Sequence, residues 1–325
     1  MPTTLLSGAL RDLLGRLAQT GRPAAAVYSG PAGDRQPAHT VYGGAHLFRA
    51  DVAARLGAAA LAALEAYAPA PGALAEVAEI GDPLLAAQVR ERVIAKLRGE
   101  PVEDYRIDFE DGYGERPADE EDAHASAAAL EMARGLEAGT LPRGSGVRLK
   151  ALDPAHAARA LGTLDRFASV LLEATGGRLP AGFAVTLPKV ASGAEVAVLA
   201  DALDALEHAA GLPERAIAIE IMVETPRALL APDGGVALPA LVAAGRGRVR
   251  SCHFGPYDFL AALGVAGADQ RIDHPACDLA RQLMTLALAG GNVAAVDGPV
   301  VRLPVPVHRA APGGAALGGP ERDAN

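Results

Sequence analysis

Residues 217–226 read I-A-I-E-I-M-V-E-T-P. As a β-strand this stretch separates cleanly, because alternate side chains point to opposite faces. Ile217, Ile219, Ile221 and Val223 fall on one face; Glu220, Met222 and Glu224 fall on the other. The apolar face suits the underside of a helix layer. The opposite face carries two carboxyls, and Glu224 stands where the strand must end, since Pro226 cannot donate to a ladder. In a barrel of parallel strands the C-terminal rim is where chemistry is done. Further on, F-G-P-Y-D-F-L (254–260) offers Asp258 at a similar strand exit, about one βα unit later. We read Glu224 and Asp258 as a pair that together holds a divalent metal.

Working outward, six more phrases read as strands: 41–46 (V-Y-G-G-A-H), 105–112 (Y-R-I-D-F-E-D-G), 147–150 (V-R-L-K), 183–190 (F-A-V-T-L-P-K-V), 249–254 (V-R-S-C-H-F) and 293–298 (V-A-A-V-D-G). From the second onward they recur every roughly 30 to 45 residues, the size of a βα unit. Between them lie alanine- and leucine-rich segments that read as helices: from Asp51 to Tyr67, from Asp82 or Pro83 to Arg98, 119–136, 153–174, 194–210 and 277–289. Alternating strand and helix means a parallel sheet with helices outside it. Open doubly wound sheets read as apolar on both faces, whereas here one face keeps presenting charge. The expected fold is therefore α/β, a TIM-type (β/α)8 barrel that stops short of its eighth strand.

The expected organisation is one barrel domain over residues 1–300 and a tail over 301–325. In the tail, Pro304, Pro306 and Pro312 with glycines at 313, 314, 318 and 319 leave no helical or strand period. That composition predicts disorder, and its only apolar run, Val300 to Val307, would make a poor edge strand. Residues 1–20 carry an apolar stripe broken by Arg11, Asp12 and Arg16, which predicts an amphipathic helix and no signal peptide.

Composition narrows the function classes. The 325 residues are half hydrophobic and carry a formal net charge of −9 with a pI near 5.4. No basic stripe is present, so no nucleic-acid partner is expected. No run is long enough to span a bilayer, so no membrane partner is expected either. Two cysteines, Cys252 and Cys277, lack zinc or CxxC spacing and fit a reducing cytoplasm. Tryptophan is absent and aromatics are 4%, which argues against a carbohydrate-stacking site or an aromatic cage.

Each candidate has a functional and a structural reading. Two carboxylates from neighbouring strand ends suit Mg²⁺, which takes hard oxygen ligands and keeps part of its water; alternatively Glu224 caps the following turn. Glu220, deeper on the same face, reads as a buried acid paired with Arg or Lys. Arg148, sharing its face with Lys150, could grip a substrate carboxylate or pair internally with Asp108 or Glu110. Lys150 and Lys189 fall on strands and could serve as Schiff-base lysines of a metal-free aldolase, or as charges at the barrel mouth. A lone histidine is more often structural, but His46 at a strand exit could be an acid/base or a ligand; His253 reads as a structural hydrogen-bonding group. Gly43-Gly44 and Gly298-Pro299 could line a phosphate pocket, with no nucleotide fingerprint behind them.

Six phrases occur in order: D-F-E-D-G (108–112), V-R-L-K (147–150), L-P-K-V (187–190), V-E-T (223–225), F-G-P-Y-D-F (254–259) and V-D-G-P (296–299). Together they resemble the citrate lyase beta-subunit and malyl-CoA lyase group of the HpcH/HpaI aldolase superfamily, over about residues 39–300. That resemblance implies a TIM barrel using Mg²⁺ or Mn²⁺ to make or break a carbon–carbon bond beside a keto acid or acyl thioester, within a homo-oligomer. It matches Glu224 and Asp258 to the metal ligands and Arg148 to the substrate-holding arginine. Asp108 and Glu110 match the acidic pair of the second strand, placed to position Arg148 or metal-bound water. Lys189 joins the catalytic candidates, and Gly255 and Pro256 the substrate-binding ones. Relatives complete the site with a last strand and a C-terminal segment packed on a neighbouring subunit, which this sequence does not show. The expectation is a metal-dependent lyase acting through a metal-stabilised enolate. Its alternatives are a keto-acid- or partner-binding barrel without turnover, and the Schiff-base aldolase.

Overall fold

All seven expected strands form, and they form one sheet in sequence order. They are β1 (Thr40–Gly44), β2 (Asp104–Asp108), β3 (Gly144–Arg148), β4 (Ala184–Leu187), β5 (Ala218–Val223), β6 (Val249–Phe254) and β7 (Ala294–Val296). Every neighbouring pair is parallel, in the order β1-β2-β3-β4-β5-β6-β7. The computed structural model describes residues 11, 12, 14–16 and 35–299. Within these the sheet is a TIM-like (β/α) barrel that is incomplete, with β1 and β7 as its edges. Most of the predicted N-terminal helix and the whole tail from 301 on, with the run Val300 to Val307, lie outside the described residues.

Outward-facing aliphatic side chains hold the helices. Ile107, Val147, Val185, Ile219, Ile221 and Cys252 are fully buried. Each crossover carries at least one helix, among them Val52–Tyr67, Pro83–Gly99, Ala118–Ala138, Ala157–Thr175, Gly193–Ala210 and Pro275–Leu288. Asp82 caps the helix that starts at Pro83, accepting from the Leu84 and Leu85 amides at 2.8 and 3.4 Å. Asp51 occupies the N-cap position of its helix without a side-chain hydrogen bond. Three short helices escape a reading by period: Pro71–Val77, Leu238–Ala244 and Pro256–Ala262. Each is seven residues, too short to show an apolar repeat, and each has a proline in its first turn. No helix among the described residues is long and apolar enough to cross a membrane.

The interior is polar, and one arginine organises it. Arg106 on β2 is fully buried. Its Nε and Nη2 donate to Glu220 at 2.7 and 2.6 Å, its Nη1 and Nη2 to Asp104 at 2.5 and 2.9 Å, and Nη1 also to the Tyr105 carbonyl at 3.0 Å. All five guanidinium hydrogens are thus used. Glu220 further accepts from Thr186 Oγ1 at 2.6 Å and Arg250 Nε at 2.9 Å. The register line Gly44, Asp108, Arg148, Thr186, Glu220, Ser251 starts at the strand ends and runs down into the interior, as tilted barrel strands require.

Removing one partner of a buried ion pair strands the other in low dielectric, at a cost of about 3–5 kcal/mol. Arg106→Met should therefore lower stability by about that amount, because Glu220 and Asp104 lose their shared cation. Urea unfolding would check it, and a loss near zero would show that the interior relaxes around the missing charge.

Candidate active site

At the C-terminal ends of the strands lies a cavity of about 600 Å³. Its wall includes Tyr42 of β1, Arg148 at the end of β3, Met222 of β5, Glu224 just beyond it, and His253 of β6. Asp258 also lines it, from the first turn of the helix Pro256–Ala262 and so one step past the strand exit. Gly255, Pro256, Gly298 and Pro299 close the rim, so both metal candidates, Arg148 and the substrate-loop residues share one space.

Glu224 is 2% exposed and accepts from the Lys189 amide at 2.5 Å. That contact depends on Lys189 having φ +52°, a left-handed conformation uncommon for a side-chain-bearing residue. It depends equally on Gly255, where a Cβ would lie 2.5 Å from Glu224 Oε2 and 2.6 Å from its Cβ. Gly255 thus acts by letting Glu224 stand close to the chain, whatever else it touches. Burial is the main force on the Glu224 carboxyl and pushes it up to about 7 despite the hydrogen bond and charge of Lys189.

The Lys189 ammonium sits among acids. It bonds Glu110, lies 3.1 Å from Asp258 Oδ2 and 3.4 Å from Asp111 Oδ1. Burial opposes its charge, yet Glu110, Asp111 and Glu224 outweigh burial and raise its pKa. Burial raises the Glu110 carboxyl; for Asp111 burial acts the same way but Lys189 and Arg148 prevail and lower it.

Arg148 is held by Asp108 in a two-point contact, Nε to Oδ1 at 2.7 Å and Nη2 to Oδ2 at 2.5 Å, with Glu110 3.2 Å from Nη1. Asp108 also accepts from the Glu110 and Gly112 amides at 3.0 and 2.7 Å. Asp108 is therefore a positioning residue whose lone pairs are all engaged. One edge of Arg148 is spent on it, and its Nη1 faces Glu110 at 3.2 Å and Asp111 at 3.7 Å.

Two sequence expectations are corrected. Lys150 does not line the cavity with Arg148: β3 ends at Arg148, and the buried Lys150 ammonium lies 3.1 Å from Glu115 and 3.9 Å from Glu121. His46 packs its ring against Tyr113 and His124, and it is not among the residues lining the cavity. Burial, with Arg116 and His124, lowers its pKa. Conversely, Tyr42 and His253 line the cavity although the sequence marked neither as functional. Tyr42 alternates with Val41 on β1 and so had to face inward, which was the available signal.

No group of three or more His, Cys, Asp or Glu side chains among the described residues is arranged to hold a metal ion. The donor set nevertheless suits a hard dication, which uses one or two carboxylates and keeps several waters. Around the rim Asp108, Glu110, Asp111, Glu224 and Asp258 face only Arg148 and Lys189, an excess of negative charge when all are ionised.

A family model described as "Domain of unknown function (DUF6986)" matches residues 17–318. No curated protein matches the chain in sequence. Among solved structures, the Haloferax volcanii malate synthase lead(II) complex is similar with a TM-score of 0.50 and 19% identity, over 66% of this chain and 58% of that one. The magnesium/glyoxylate complex of the same enzyme gives a TM-score of 0.49 and 19% identity, over 68% and 60%. The HpcH/HpaI aldolase of Desulfitobacterium hafniense gives 0.36 and 13%, over 61% and 78%. The chain spans less than two thirds of the length of the malate synthase it matches. At 19% identity the likeness to the lead(II) complex is one of fold.

The raised Glu224 carboxyl makes stability depend on pH. A carboxyl that binds its proton more tightly when folded stabilises fully below its ordinary value of 4.5, and this is lost as pH rises through about 7. The shift corresponds to about 3 kcal/mol. In metal-free buffer, Glu224→Gln should match the wild type near pH 4 and become more stable than it by about that amount at pH 8. Urea midpoints at the two pH values would check this; a gap that does not widen with pH would show Glu224 to be an ordinary carboxyl.

Proposed function

The chain belongs to the DUF6986 family, and from that premise we propose that it is a divalent-metal-dependent carbon–carbon lyase acting on a 2-keto acid or acyl-CoA-type substrate. The observation that carries this reading is the meeting of Glu224, Asp258 and Arg148 in one cavity at the C-terminal mouth of the barrel. The residues named as ligands are Glu224 and Asp258, with Mg²⁺ or Mn²⁺ as the ion. Bound there, the ion would supply positive charge against the negative charge that develops on a substrate oxygen as the bond breaks.

The chain's own groups have distinct tasks in this reading. The Nη1/Nη2 end of Arg148 binds the substrate carboxylate in place of its Glu110 contact, and Asp108 keeps the guanidinium pointing at it. Lys189 neutralises Glu110 and Asp111 and, through its amide, aims Glu224. Gly255 and Pro256 close the wall behind the ligand. The Schiff-base alternative is disfavoured by the same geometry. A nucleophilic lysine must be neutral, and the acids around Lys189 raise its pKa, while Lys150 is paired outside the cavity.

Calorimetry should show Mg²⁺ or Mn²⁺ binding by the wild type, and a loss of affinity of about tenfold or more in Glu224→Gln and in Asp258→Asn. EDTA should abolish cleavage, and borohydride with pyruvate should leave no adduct on Lys189. Unchanged metal binding in Glu224→Gln would sink the ligand assignment. Keto-acid binding without turnover would favour the non-catalytic barrel.

A further inference from the structure

Tyr42, His253, Ser251 and Glu220 form a continuous line of hydrogen bonds from the cavity into the barrel interior. Tyr42 Oη lies 3.1 Å from His253 Nδ1. His253 Nε2 lies 2.9 Å from Ser251 Oγ, and Ser251 Oγ donates to Glu220 Oε1 at 3.3 Å. His253, Ser251 and Glu220 are all buried, and Tyr42 and His253 both line the cavity that holds Glu224, Asp258 and Arg148.

The direction of the line follows from its inner end. Burial would raise the Glu220 carboxyl, but the charge and hydrogen bonds of Arg106 hold it well below the usual carboxylate range. An ionised carboxylate only accepts. Ser251 therefore spends its one hydrogen on Glu220 and turns a lone pair to His253. His253 Nε2 must then carry the ring proton, which leaves Nδ1 bare in the neutral imidazole. A bare Nδ1 is an acceptor, and Tyr42 is its donor. The other contact of the phenol, Met222 Sδ at 3.8 Å, is a weak acceptor and does not compete.

We propose that these side chains are a proton relay, and that the Tyr42 hydroxyl is the general base and acid of the lyase reaction. This role rests on the reading of the preceding subsection. In the cleavage direction the substrate hydroxyl gives its proton to Tyr42 Oη as Tyr42 passes its own to His253 Nδ1. The carbon–carbon bond breaks, its electron pair forms the enolate, and the hydroxyl carbon leaves as a carbonyl. The same proton then returns from His253 through Tyr42 to the enolate carbon, so nothing is gained or lost. Glu220, 3.6 Å from Nε2, faces the transient imidazolium with a negative charge. The arrangement follows the logic of a nucleophile–histidine–carboxylate triad, with a serine between ring and carboxylate. Burial, assisted by the charge of Glu220, raises the phenol pKa, so transfer has to be concerted with His253. The Arg148 guanidinium, 5.0 Å over the Tyr42 ring, brings a bound carboxylate within reach of the hydroxyl.

Two measurements decide it. ¹⁵N NMR of the His253 ring should show the Nε2–H tautomer, and Tyr42→Phe should displace the Nδ1 signal. An Nδ1–H tautomer would overturn the relay. Exchange of pyruvate methyl protons with D₂O, in protein supplied with Mg²⁺, should fall on the order of 10²-fold or more in Tyr42→Phe and His253→Gln. Pyruvate affinity should stay within about twofold, since uniform binding is untouched. Undiminished exchange in Tyr42→Phe would remove Tyr42 as the proton carrier. If the wild type exchanges no pyruvate protons yet shows the expected tautomer and its response to Tyr42→Phe, the relay stands and the lyase reading falls.

Discussion

The Arg106–Glu220 pair is the contact from which the polar half of this barrel can be built. A guanidinium with no access to water must place every N–H. Asp104, Glu220 and the Tyr105 carbonyl satisfy Arg106 completely. Glu220 is in turn fixed in both position and ionisation state, and Thr186, Arg250 and Ser251 orient around it. Four strands are tied together by one cluster, from β2 through β4 and β5 to β6.

The rim is governed by the opposite condition, an excess of one charge. Lys189 and Arg148 are the cations set among five acids, and each is held by more than one of them. The backbone is bent to serve this arrangement, since Lys189 adopts a left-handed conformation and only a glycine at 255 leaves Glu224 its place. Strain at the rim, supported by a satisfied interior, is the usual distribution in a protein with a functional site at the strand ends.

Interior and rim meet on the open side of the sheet. Below the mouth lies a second cavity of about 400 Å³, and the two share Thr40, His253 and Val296 from β1, β6 and β7. These are the strands at or next to the two edges. His253 thus borders both spaces, which is why one histidine can connect a group at the mouth to a carboxylate near the floor.

Much of this was legible in the chain itself. The alternation of Ile219 and Ile221 with Glu220 and Met222 assigned a greasy and a charged face to β5, because strand side chains alternate regardless of context. Repetition of such phrases at βα spacing determined seven parallel strands and their order, and the proline after Glu224 determined where β5 ends. The internal pairing of Glu220 also followed, since a carboxyl on the inward face has to find a cation. The tertiary structure alone decided which cation it is, that Lys150 pairs with Glu115, and that Asp258 belongs to a helix seven residues long. It alone brought Tyr42 to His253, 211 residues away in sequence. Periodicity reports the face a residue occupies. Barrel tilt, a left-handed backbone at Lys189 and the close approach at Gly255 set the partner it meets, and these arise only when the strands pack together.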